Sequence, residues 1–119
     1  MIKSTASTIC FALFLLISSG EAYALACTGK VYNISVTQSG RVSVISPEIY
    51  PDGNGKDICN TETPFKGVSL TVCRSWLAIL MTAKVSNRTV TVQYPDSTYS
   101  CSTFPNWENA LAPFSIYIN

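Results

Sequence analysis

The chain has 119 residues, eight basic and seven acidic side chains, a formal net charge of +1 and no histidine. The charges are spread singly with no basic run, so nothing supports nucleic acid or an anionic membrane as a partner. Without histidine a Ser-His-Asp triad is impossible, and the commonest general base and metal ligand are missing. No spacing singles out a Ser–Lys pair or two carboxylates, so no enzyme activity, cofactor or metal site is expected.

Residues 1–24 read as a signal peptide. Lys3 supplies the positive start, and Ile9 to Ile17 is an apolar run too short to span a bilayer. Ser18 to Ala24 is the polar cleavage region, with Ala22-Tyr23-Ala24 as the small-x-small site. Cleavage leaves a single domain, residues 25–119, and removes Cys10. Cys27, Cys59, Cys73 and Cys101 remain, an even set in a chain expected to be exported to the periplasm or secreted. Ala24-Leu25-Ala26-Cys27 loosely matches a lipidation site. Its first residue is not a larger aliphatic, and lipidation would leave one cysteine unpaired, so no stable membrane anchor is expected.

The elements follow in chain order. Val31 to Thr37 alternates as a strand, with Tyr32, Ile34 and Val36 on one face, and Gln38-Ser39-Gly40 turns the chain. Arg41 to Ile49 is the second strand, with Pro47 ending regular pairing. Tyr50 to Asp57 is a loop rich in turn residues. It faintly resembles a calcium loop, but Lys56 stands where an oxygen ligand is required and Asp57 replaces the needed glycine. Ile58 to Thr63 is the third strand and Val68 to Val72 a short extended piece.

A helix follows. Cys73, Trp76, Leu77, Leu80 and Met81 recur at helical spacing as its apolar face. Thr71 is the expected N-cap, and Asn87 suits the left-handed residue that ends the helix. Thr89 to Tyr94 alternates, with Val90, Val92 and Tyr94 inward. Ala112 to Ile118 does the same, with Phe114, Ile116 and Ile118 inward.

This order, β-β-β-α-β-β, is that of a small five-stranded oligonucleotide/oligosaccharide-binding (OB) barrel, mostly β with one helix and stapled by disulfides. Cys59 and Cys73 bracket a short loop and are expected to pair. A zinc or redox role for them lacks the C-x-x-C spacing.

Several features resemble the B subunits of subtilase-type and typhoid-type bacterial toxins. They are Thr28-Gly29 before the first strand, the Ser39-Gly40 turn, Ile58-Cys59 with Cys73 fourteen residues on, Trp76 on the helix, and Val90-x-Val92-x-Tyr94. The likeness runs from Thr28 to Tyr94. The whole chain more closely resembles small four-cysteine exported proteins of proteobacteria, to which no function attaches. The toxin subunits are pentameric OB barrels that bind sialylated glycans through a serine at the start of strand one and tyrosines near strand four. The resemblance implies Thr28 and Tyr94 as sugar-contacting residues, a sialylated glycan as ligand and a homo-oligomer as assembly. The C-terminal cysteine arrangement departs from that family, and Cys101 is expected to pair with Cys27.

Trp107 lies in a polar segment beside Cys101. It either stacks on a ligand or lids one end of the barrel. The expected function is an exported, non-catalytic binding module, glycan-binding by resemblance. The alternative is a periplasmic or secreted structural or inhibitory protein that engages a protein partner.

Peptide mapping without reduction checks the covalent frame. A chain beginning at Leu25 with Cys27–Cys101 and Cys59–Cys73 is expected. Recovery of Cys27 joined to Cys59, or carrying lipid, contradicts it.

Overall fold

A computed structural model describes residues 25–95 and 98–119. The leader expected over residues 1–24 lies outside them. Six strands form two three-stranded antiparallel sheets. In the first, β1 (Leu25–Lys30) pairs with β5 (Thr89–Tyr94), which pairs with β6 (Ser115–Ile118). In the second, β3 (Arg41–Ile45) lies between β2 (Asn33–Val36) and β4 (Lys56–Asn60). Among the described residues the one α-helix, α1 (Leu70–Val85), links β4 to β5 and packs on β4, β5 and β6.

The protein is therefore mostly β with one helix, but its sheets do not close into a five-stranded barrel. Two local causes stand out. The chain leaves strand geometry at Val31 and Tyr32, so the strand expected over Val31 to Thr37 is confined to Asn33–Val36 and pairs with β3, while an additional strand, β1, precedes it and pairs with β5. Among the described residues no ladder joins β4 to the first sheet. A parallel bridge, Lys56 to Trp107, instead ties β4 to the last loop.

Local chemistry explains the boundaries. The β2–β3 turn ends on Gly40 at φ 90°, a conformation that favours glycine. Thr37 helps close it, its Oγ1 accepting from Arg41 N at 3.1 Å. The strand expected to reach Ile49 ends at Ile45. There Ser46 Oγ donates to Lys30 O at 2.6 Å and accepts from Ile49 N at 3.2 Å, which turns the chain back over β1. The crossing is close: a Cβ on Gly29 would stand 2.5 Å from Glu48 Cβ.

The helix begins one turn earlier than its apolar spacing suggests. Ser69, not Thr71, is the N-cap, and its hydroxyl accepts from Val72 N at 3.2 Å. Asn87 takes φ 55° just beyond the helix, as its amide side chain allows. The helix buries Cys73, Trp76, Leu80 and Ala83, whereas Met81 is exposed. The last strand begins only at Ser115, so Phe114 is exposed while Ile116 is buried.

The core lies between the sheets and under α1, from Val42, Val44 and Ile58 to Val90, Val92 and Leu80. Both expected disulfides are present. Cys27–Cys101 ties β1 to the last loop, and Cys59–Cys73 ties β4 to α1. With its cysteines 14 positions apart in sequence, the second bridge corresponds to ~3 kcal/mol of loop-closure entropy. Cys59→Ser also leaves the Cys73 thiol buried and unpaired, so a large drop in Tm is expected under oxidising conditions. An unchanged thermal midpoint would show that the bridge carries none of this stability.

Candidate functional site

The antiparallel register decides which side chains share a surface. Thr28 stands opposite Thr91, and Thr91 opposite Tyr117, so one row crosses all three strands of the first sheet. Cys27 and Gly29 are buried, and Thr28 is exposed between them, as period-two alternation requires. Thr28 Oγ1 and Thr91 Oγ1 share a hydrogen bond of 2.8 Å. Asn119 Nδ2 donates to Thr91 Oγ1 at 3.2 Å and to Thr89 Oγ1 at 3.0 Å. Tyr117 leaves 42% of its surface exposed at the end of the row. The outer face of this sheet is thus a platform of hydroxyls and an amide with one accessible aromatic ring.

Lys30, two residues along β1 from Thr28, borders the platform and a neighbouring polar cleft. The cleft has a volume of about 370 Å³ and is lined by Lys30, Val31, Tyr32, Lys84 and Asn87. Lys84 Nζ donates to the carbonyl of Tyr32. Glu48 accepts from the backbone N of Lys30 at 2.6 Å and from the Tyr32 hydroxyl at 3.2 Å. The negative charge of Glu48 raises the Tyr32 pKa, so Tyr32 remains a neutral donor. Among the described residues Lys30 Nζ makes no ion pair, so its charge faces the cleft and solvent.

Tyr94 belongs to the opposite face. It is fully buried with Val90 and Val92. Its hydroxyl meets that of Tyr50 at 2.5 Å, and its ring lies 4.2 Å from the Phe104 ring. Burial raises the pKa of both phenols. Tyr94 is therefore placed as a core residue, away from any ligand surface, because an inward alternating position cannot share a face with Thr28.

Trp107 lies elsewhere again. Its backbone N donates to Gly55 O at 2.7 Å and its carbonyl accepts from Asp57 N at 3.2 Å. It holds φ 49° with its indole against Gly55, where a Cβ would collide with the ring. It covers the edge of β4 and leaves 43% of its surface exposed. The structure therefore separates Thr28, Tyr94 and Trp107, and gathers Thr28 with Thr91, Tyr117, Asn119 and Lys30. The sequence signal for this second set is the alternation of β1, β5 and β6, which becomes a surface only once their register is known.

A second concavity, of about 400 Å³, runs beside the start of α1, with Val68, Val72, Trp76, Pro113 and Phe114 among its lining residues. Asp52 makes no calcium loop. Its carboxylate accepts from Asn54 N at 2.9 Å and from Lys56 Nζ at 2.6 Å.

Comparison of the chain with protein-family models, with curated proteins and with solved structures finds no match.

The Tyr50–Tyr94 pair predicts a distinct response to alkali. Each phenol has a folded-state pKa above its ordinary 10.0, so the folded state holds more protons than the unfolded chain above that pH. The stability the pair contributes is present below pH 10 and falls as the pH rises further. Tyr94→Phe is expected to cost about 1–3 kcal/mol at neutral pH, because the Tyr50 hydroxyl is left buried without its partner. Denaturant unfolding measures the loss, and an alkaline spectrophotometric titration should show two phenols that ionise only as the chain unfolds.

Proposed function

We propose that this chain is an exported, non-catalytic binding module that takes an acidic glycan on the outer face of the β1–β5–β6 sheet. The observation that carries the reading is the Thr28–Thr91–Tyr117 row ending beside Lys30. Sugar recognition needs hydroxyl and amide hydrogen bonds, an aromatic face and no titratable catalyst. The row supplies the first two, and a histidine-free chain is consistent with the third. Lys30 and Lys84 at the adjoining cleft supply positive charge for a carboxylate such as that of a sialic acid. The two disulfides accord with an oxidising compartment.

The order of elements supports an OB-like arrangement that is open between its two sheets. Taken as one strand bent at Val31–Tyr32, β1 and β2 give five strands in the expected order around one helix. The lone bridge from Lys56 to Trp107 is parallel and lies at the seam. The rival reading is a protein that binds another protein, and the apolar concavity at Val72 and Phe114 favours it.

Titration of the purified protein with sialylated oligosaccharides and their asialo counterparts tests the proposal. Binding of the sialylated forms is expected, with Thr28→Ala, Tyr117→Ala and Lys30→Ala each weakening it at least about tenfold, ~1.4 kcal/mol. Trp107→Ala should leave the affinity unchanged. No binding at ~millimolar sugar removes the glycan reading. Equal binding of the asialo forms removes the role given to the lysines.

A further inference from the structure

Lys56 is the most unusual side chain in the described structure. It stands on β4 with no exposed surface, yet lysine is almost never fully buried. Three oxygens surround its amine: Asn106 Oδ1 at 2.5 Å, Asp52 Oδ2 at 2.6 Å and Phe104 O at 3.2 Å. The Tyr50 ring centroid lies 5.6 Å away. The backbone holds the partners in place, because the bridge from Lys56 to Trp107 sets Asn106 beside β4. An amine, a carboxamide and a carboxylate thus meet beside the Tyr50 ring, with the amine itself buried and Asp52 and Asn106 reaching it from the exposed side.

We propose that Lys56 and Asn106 are joined by an isopeptide bond that the folded chain forms itself, with Asp52 as the proton carrier. Asp52 takes one proton from the Lys56 ammonium. The freed lone pair attacks Cγ of Asn106, the new N–C bond forms, and the carbonyl electrons move onto Oδ1. As the tetrahedral centre collapses, the carbonyl re-forms and the bond from Cγ to Nδ2 breaks. Nδ2 leaves as ammonia with a second proton from the lysine nitrogen, relayed through Asp52. The remaining lysine proton becomes the amide N–H, and the first stays on Asp52. Nothing is oxidised or reduced, and no co-reactant is needed.

Each requirement of that step has a counterpart in the site. Holding the amine against the amide makes the attack intramolecular, which is the largest single advantage a fold can give such a reaction. The carboxylate contacts the nitrogen that must lose protons. The amine is buried while Asn106 opens to solvent, which gives the departing ammonia a way out. The product also relieves a cost, because a buried ammonium becomes a neutral amide. The link would close the seam between β4 and the last loop, where no ladder runs.

Peptide mapping of the purified, folded wild-type chain by tandem mass spectrometry tests this. The expected result is a branched peptide joining Lys56 to Asn106, lighter than its two parts by one ammonia, that survives reduction of the disulfides. Trypsin should no longer cleave after Lys56. Asp52→Asn, which keeps the size and removes the base, should yield the two peptides separately, as should Asn106→Ala. Separate wild-type peptides with a free Lys56 amine overturn the proposal. So does an ammonia loss confined to Asn106 as a succinimide. A branched peptide in Asp52→Asn overturns the role given to Asp52. The mapping is independent of any glycan affinity.

Discussion

Strand β4 is buried along its whole length, yet it opens with Lys56 and Asp57 side by side. Successive strand residues point to opposite faces, so two opposite charges enter the interior on opposite sides and cannot neutralise each other. Each must find partners in the chain around it, because an unpaired buried charge costs several kcal/mol. Lys56 draws in Asp52, Asn106 and the carbonyl of Phe104. Asp57 accepts from Ser43 Oγ at 2.5 Å and faces Arg41 Nε at 2.8 Å as an ion pair. The first set fastens the last loop to β4, and the second fastens β3. Through Cys101 the same loop is bonded to β1, so the two sheets are joined by this knot and one disulfide rather than by a shared ladder. Hydrophobic burial drives the collapse, and these polar requirements select which collapsed arrangement satisfies every buried charge.

The parts of the fold legible in the sequence are those whose signals are local. Thr89 to Tyr94 has strict alternation and forms a strand with those same bounds. Gly40 and Asn87 occupy the left-handed conformations their side chains permit. The Cys59–Cys73 bridge closes a loop short enough to be read from spacing. Strand β1 was hidden for a physical reason. Ala26 and Gly29 carry little strand preference, and the segment becomes a strand because β5 pairs with it and the Cys27 bridge holds it. The early start of α1 has a similar origin, since Ser69 and Thr71 are both competent caps and tertiary placement chooses between them.

The site was less legible than the fold. Thr28 was marked by resemblance alone, and its partner Thr91 lies 63 residues away along the chain, with Tyr117 farther still. Only register brings Thr91 and Tyr117 beside it, and register is set by the pairing of all three strands. The inward assignment of Tyr94 with Val90 and Val92 was available from alternation and already conflicts with a ligand role. A position carried over by likeness to another family holds the strand number and loses the face. Trp107 shows the opposite problem. Its polar surroundings suggest a free loop, whereas its backbone is bonded to β4 and its ring rests on Gly55.

Interior and surface divide the polar chemistry between them. Inside, Lys56 and Asp57 bind strongly to fixed partners and have nothing left for a ligand. On the outer sheet face the bonds are between neutral groups and leave capacity over. Thr91 is almost wholly covered and takes up bonds from both sides, which orients Thr28 without saturating it. A hydroxyl has one donor and two acceptor sites, so Thr28 retains hydrogen-bonding capacity in a direction its neighbour has already set. Groups held in this way would lose little freedom to a ligand, and the Cys27–Cys101 bridge anchors β1 of this sheet to the last loop. Lys30, at the margin and hydrated, suits a different task. In the role proposed for this face, charge at the rim would guide an anionic partner in and set its salt dependence, while the row of hydroxyls and the Tyr117 ring would provide the contact surface.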